Sequence, residues 1–164
     1  MEVPPRIEVL PPTTLVGLRV TMAMAADQTQ ALWRRFGPRR KEIRNVAGPE
    51  RYSVEVYPDP AFFTRYNPTL EFEKWAAVQV SDPAPVPAGL EVLQVPGGAY
   101  AVFGYKGRSS EAQRAYQFIF GTWLPGSAYE LDHRPHFAKM GEKYRNDDPA
   151  SEEEIWIPVR TRTL

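Results

Sequence analysis

The sequence predicts an α+β domain: one antiparallel sheet made from two strand-helix-strand-strand halves, with both helices on one face and a ligand groove on the other. Three observations predict it. First, the chain reads twice. "IEVLPPTTLVGLRV" (Ile7 to Val20) resembles "LEVLQVPGGAYAVFGYKG" (Leu90 to Gly107), each a short apolar strand, a Pro-containing turn and a longer strand. Second, each copy is followed by a segment with helix-start chemistry. Third, each of those is followed by two strand-like runs, separated by loops rich in Pro, Asp and Asn. At 164 residues there is room for one domain with a real core, so the chain reads as a single domain over 1–164, with pseudo-repeats at about 6–81 and 89–160.

The elements follow in order. Asp27, with Gln30 three residues on, has capping-box spacing and starts a helix from Gln28 to about Ile43, carrying Leu32, Trp33 and Phe36. Gly37-Pro38 should break or kink it. "YSVEVY" (Tyr52 to Tyr57) and "WAAVQV" (Trp75 to Val80) are strands. "SDPAPVPAG" (Ser81 to Gly89) is a stiff connector between the halves. In the second half Gly97-Gly98 reads as a hairpin turn. Ser110, with Gln113, caps a helix from Glu111 to Trp123, whose Ala112, Ala115, Tyr116, Ile119, Phe120 and Trp123 form a stripe at helical spacing. "LPG" (Leu124 to Gly126) ends it. "HFAKMGEKY" (His136 to Tyr144) and "EEIWIPV" (Glu153 to Val159) complete the half.

Composition narrows the function. Apolar residues are 43% and aromatics 12%, enough to fill a core. Twenty basic and 20 acidic residues give zero formal net charge, which argues against nucleic-acid binding. The basic run from Arg34 to Arg44 reads as a solvated helix face. With no cysteine, disulfides, thiolate metal sites and a Cys nucleophile are excluded. No apolar run reaches the roughly 18 residues of a membrane span, and the first residues lack a signal-peptide pattern. A soluble, cytoplasmic monomer without a cofactor is expected. The histidines of "HRPH" lack a carboxylate at metal-ligand spacing, and no Walker A, dinucleotide or G-x-S-x-G motif is present.

Strand alternation nominates the site. In "SEEEIWIPV", Ile155, Ile157 and Val159 share a core face, which leaves Glu154 and Trp156 together on the other. An indole face attracts a cation and a carboxylate adds Coulomb attraction, so the pair suits a flat cationic ligand. The competing reading is a solvated acidic edge, Glu152 to Glu154. Trp75 is expected to face the same groove by pseudo-symmetry, or else to pack in the core. His136, Ala138 and Met140 share one strand phase and are expected to line the groove too. Tyr57 and Trp123, at element ends, are weaker candidates.

Four segments in this order, "FEKWAAVQV", "AYAVFGYKG", "TWLPGSAYELDHRPHF" and "EEEIWIPV", together with the duplicated halves, resemble the GyrI-like small-molecule-binding family. The same domain is the effector-binding half of some AraC-type and MerR-type regulators. The resemblance spans nearly the whole chain. It implies a stand-alone, multidrug-type protein that binds lipophilic, often cationic aromatic compounds in a central groove. Some members hydrolyse cyclopropanoid DNA-alkylating natural products, so the alternative is a hydrolase that opens a cyclopropyl ring by adding water. Glu154 would then be the acid or base, with Tyr57 or Tyr105 as hydroxyl partner. After "PHF" the family usually carries a groove-facing Glu; here the position is Ala138, which ranks binding above catalysis. Regulator-fused members carry a helix-turn-helix. There is no room for one before Ile7 or after Val159, so direct DNA binding is not expected. A topoisomerase-inhibiting role, suggested by some relatives, would have only the basic stretch Arg39 to Arg44 to work with.

Overall fold

The computed structural model describes residues 4–163. Its strands are β1 (Arg6–Leu10), β2 (Thr13–Ala23), β3 (Arg51–Val56), β4 (Glu71–Gln79), β5 (Glu91–Val95), β6 (Gly98–Lys106), β7 (Tyr129–Leu131), β8 (His136–Met140) and β9 (Glu152–Thr161). Every pairing is antiparallel, in the order β1-β6-β9-β8-β3-β4-β2-β5, with the short β7 added to β9. The sheet has a symmetric plan. β3 and β8 form the central seam, β4 and β9 flank it, then β2 and β6. Each outermost strand belongs to the other half: β1 lies on β6 and β5 on β2.

That exchange corrects the expected hairpin at Gly97-Gly98, because β5 and β6 do not pair with each other. The ladder from Arg6↔Val102 to Leu10↔Gly98 breaks at the prolines and resumes in the same register from Thr13↔Val95 to Gly17↔Glu91. Proline has no N–H to give a ladder, so Pro11, Pro12 and Pro96 mark the bend. Gly97 lets the two chains touch there: a Cβ at this position would lie 2.9 Å from the Leu10 carbonyl oxygen. Since β1 runs into β2 after two residues, the two ends of the strand order are drawn together. The sheet curls, with its helix-free face inside.

Two helical layers cover the outside. α1 (Thr29–Phe36) gives way to a 3₁₀ segment, Gly37–Glu42, where Gly37-Pro38 forecast a break. Asp27 is not its N-cap: Gln28 holds that position without a side-chain cap, while Asp27, one residue earlier, accepts the Thr29 N–H at 2.9 Å and Gln30 takes no part in a capping box. Leu32 and Phe36 pack on Val16, Ala76, Val78 and Val80. The second helix is less regular than expected: a 3₁₀ turn at Ser109–Glu111, α2 (Gln113–Phe118), a π segment Ile119–Trp123 and a last turn Leu124–Gly126. Ser110 does not cap it; its hydroxyl donates to Asp147 Oδ1 at 2.7 Å. "LPG" supplies the last turn because a proline is tolerated at the start of a helical segment. Ile119 and Leu124 pack on Ala101, Phe103, Ile155, Ile157 and Val159. β8 stops at Met140, four residues short of the expected Tyr144.

Candidate functional site

The inner face holds the two tryptophans singled out by alternation. Trp75 and Trp156 point to the same side and are buried with Tyr52, Val54, Tyr100 and Phe137. Phe137 stacks on Trp156 at 5.2 Å and 17°. Each indole N–H donates to the carboxylate two residues before it, Trp75 to Glu73 and Trp156 to Glu154, both at 3.1 Å. An arginine closes each pair: Arg19 lies 3.2 Å from Glu73, and Arg6 2.8 Å from Glu154. Arg6 and the Lys139 ammonium also sit 6.0 and 5.5 Å from the centre of the Trp156 ring. Burial acts to raise the Glu154 pKa, but hydrogen bonds from Arg6 and Trp156, with the charges of Arg6 and Lys139, bring it below its ordinary value. The protein's own cations therefore stand where a bound cation was expected. Side chains fill the concave face.

Three expected groove residues face the other way. Phe137 pairs with Trp156 and Lys139 with Glu154, so alternation sends His136, Ala138 and Met140 to the helix side. Placing them in one groove with Glu154 and Trp156 is corrected on that ground. Trp123 serves packing: it meets Phe103 edge-on at 5.1 Å and stacks on Tyr129 at 6.3 Å. The Tyr105 hydroxyl donates to the Arg108 carbonyl at 2.6 Å, tying β6 to the start of the second helix.

The helix side holds a different site. The helices cover β2 and β4 on one flank and β6 and β9 on the other, which leaves β3 and β8 between them as the floor of a cleft. Arg51, Ser53 and Glu55 line the floor from β3, and His136, Ala138 and Met140 from β8. The loop after β3 folds over one end. Its Phe63 stacks on Phe120 of the π segment at 5.0 Å and on His136 at 5.5 Å, while Tyr57 meets His136 edge-on at 4.9 Å. A shallow cavity of about 150 Å³ continues from this end, lined by Tyr57, Phe63, His136, Arg134 and Arg160.

Charge gathers in the middle. Lys74 and Glu55 form an ion pair at 2.6 Å with both side chains nearly buried. Glu153, projecting from β9 beside them, has no hydrogen bond among the described residues. Burial pushes its pKa up to about 7, the Lys74 charge working against this and Glu55 with it. Burial, reinforced by Glu55, also raises the hydroxyl pKa of Tyr57 and Tyr116 well above the ordinary value. Burial first, with smaller contributions from His133 and the Arg134 charge, pushes His136 down to about 3, so its imidazole is neutral. The cleft thus offers aromatic walls, a neutral imidazole and a carboxyl that is half ionised near neutral pH. Sequence reading missed Glu153. Its signal was its phase with Ile155, read as core, although it lies where the helix cover ends.

The model of the family "Cass2: Integron-associated effector binding protein" matches residues 6–159. The transcriptional regulator BrlR of Pseudomonas aeruginosa is 30% identical over 156 residues, 94% of this chain and 54% of that protein. The chain thus spans about half the length of this curated relative. Among solved structures, SAV2435 bound to tetraphenylphosphonium superposes with a TM-score of 0.71 at 17% identity, covering 96% of this chain and 94% of that one. EcmrR in its DNA complex superposes at 0.70 and 15% identity, over 96% of this chain and 57% of that one. Both share the fold. The sequence match over 6–159, on the duplicated sheet described above, places the chain in the Cass2 family of integron-associated effector binding proteins, within the GyrI-like effector-binding fold.

Proposed function

We propose that this effector-binding domain takes up lipophilic aromatic cations, and that they lodge in the helix-side cleft over β3 and β8. Glu153 carries the reading: it is a half-buried carboxyl without a hydrogen-bond partner among the described residues, set among half-buried aromatic side chains. A cation brought beside it would favour its ionised form, and ring faces such as those of Tyr116 and Phe120 would add cation–π attraction of about 0.5–2 kcal/mol each. The tetraphenylphosphonium bound by SAV2435 is a compound of this class. Titration calorimetry with tetraphenylphosphonium tests the reading. Binding should weaken about tenfold or more in Glu153→Gln, the loss of one charge-assisted contact, and hold in Glu154→Gln, whose carboxylate lies on the inner face. The reverse pattern would move the site to the concave side.

A second reading rests on the same carboxyl. A pKa near 7 is what general acid–base work asks of a group, and the Tyr116 hydroxyl stands close enough to feel its charge. Ring-opening hydrolysis of a cyclopropanoid compound would yield a water adduct visible by mass spectrometry. Stoichiometric binding without that adduct leaves the binding module alone. Ala138 lies on this same floor, so Ala138→Glu adds a second carboxylate and tests for gained turnover.

A further inference from the structure

The other end of the cleft carries positive charge, in contrast to the carboxyls of Glu55 and Glu153 in its middle. Arg51 begins β3, four residues before Glu55 and about 13 Å from it along the strand. Its guanidinium lies between two rings: Trp33 of α1, 5.9 Å away, and Tyr144 after β8, 5.4 Å away. Tyr144 is tied across to the second helix, its hydroxyl 3.2 Å from that of Ser109. The rings thus mark the two sides of the mouth, and Arg51 stands between them. Arg40, on the 3₁₀ segment after α1, comes close enough for its charge to meet that of Arg51. Neither arginine has a salt bridge or a side-chain hydrogen bond among the described residues.

Arg40 and its relatives differ in a telling way. Arg6, Arg19 and Arg39 are held above their ordinary pKa, each first by a hydrogen bond to a carboxylate. Arg40 is brought below its ordinary value, first by burial and then by the charge of Arg51. Two half-buried guanidiniums whose charges meet, neither of them paired with a carboxylate among the described residues, leave a net positive spot. Arginine forks suit carboxylate and phosphate oxygens, and rings on either side orient a flat acid.

We infer that Arg40 and Arg51, framed by Trp33 and Tyr144, form an anion subsite at the mouth of the cleft, which selects aromatic ligands carrying a carboxylate or similar anionic group. It rests on the cleft being the ligand site and extends the ligand class from simple cations to zwitterions whose cationic ring system reaches towards Glu153.

Two dyes and one simple cation decide it. Rhodamine 110 carries a free carboxylate; rhodamine 123 is its methyl ester; tetraphenylphosphonium has no anionic group. The folded protein should bind rhodamine 110 at least fivefold tighter than rhodamine 123 by fluorescence anisotropy. Arg40→Gln and Arg51→Gln should each erase that preference by weakening rhodamine 110 alone, while Arg35→Gln, on an exposed part of α1, should keep it. For the unmodified protein, raising salt to 0.5 M should shrink the preference, a readout that does not depend on any variant folding. Tight tetraphenylphosphonium binding with equal affinity for the two rhodamines overturns the anion subsite and spares the cleft. Equal losses for both dyes in the arginine variants overturn it as well. Failure of all three probes to bind removes the cleft reading and the subsite with it.

Discussion

Glu153→Gln should make the protein more stable in alkali and leave it nearly unchanged in acid. The ordinary pKa of 4.5 applies once the chain unfolds, whereas the folded environment holds the carboxyl near 7. A raised folded pKa means that the native state prefers the protonated group. Its contribution is fully present below pH 4.5 and is lost as pH rises through 7. At about 1.4 kcal/mol per pH unit, the interval amounts to about 3 kcal/mol. Urea denaturation of both proteins from pH 4 to 9 measures it, because other titrating groups cancel in the difference. The difference should be constant below about pH 4.5, shift by about 3 kcal/mol against the unmodified protein by pH 7, and stay level above. A difference that is flat across the whole range would refute the burial of a free carboxyl in the cleft. If the cleft takes up cations as proposed, the same linkage should make tetraphenylphosphonium bind more tightly as pH climbs towards 7.

His136 titrates in the opposite sense: its folded pKa of about 3 lies below the ordinary 6.5, so stability is present above 6.5 and is lost as pH falls towards 3. His136→Gln should lose roughly 3 kcal/mol less than the unmodified protein between pH 7 and pH 4, read by thermal melts at each pH. Lys74→Met strands Glu55 beside Glu153 and should cost about 3–5 kcal/mol in urea denaturation, while the double change with Glu55→Leu should cost clearly less. A single-variant cost below about 1 kcal/mol would mean that water already screens the pair.

Much of the architecture was legible because period and punctuation are local. Alternation put Trp75 and Trp156 on one side, and Gly37-Pro38 broke the first helix where expected. What sequence could not supply was which side the sheet would curl towards. Both faces of β9 look occupied from the sequence, Glu154 with Trp156 on one and Glu153 with Ile155 on the other. Only the bend at Pro11-Pro12 and Pro96-Gly97 turns the tryptophan face inward and leaves the other to line the cleft. The hairpin reading at Gly97-Gly98 failed for a related reason. A diglycine permits a tight turn, but here it permits two stretches of chain to touch, and the partner of Gly98, Leu10, lies 88 residues away in sequence. Arg6 and Arg19 reach the two Trp–Glu pairs from different strands, one from β1 and one from β2, so no repeat pattern announced them.

Because each half lends its opening strand to the other, neither can finish its own sheet. A protease cut in the 81–89 connector would leave two fragments joined by a ladder that runs from Arg6 to Gly17 on one and from Glu91 to Val102 on the other. Such fragments should stay together and should reassemble when made as separate chains. Either one alone has an unmatched edge of fixed register, and its most suitable partner is a second copy of itself. A single half-length ancestor would have closed the same way as a homodimer, with duplication then fusing what pairing had already built.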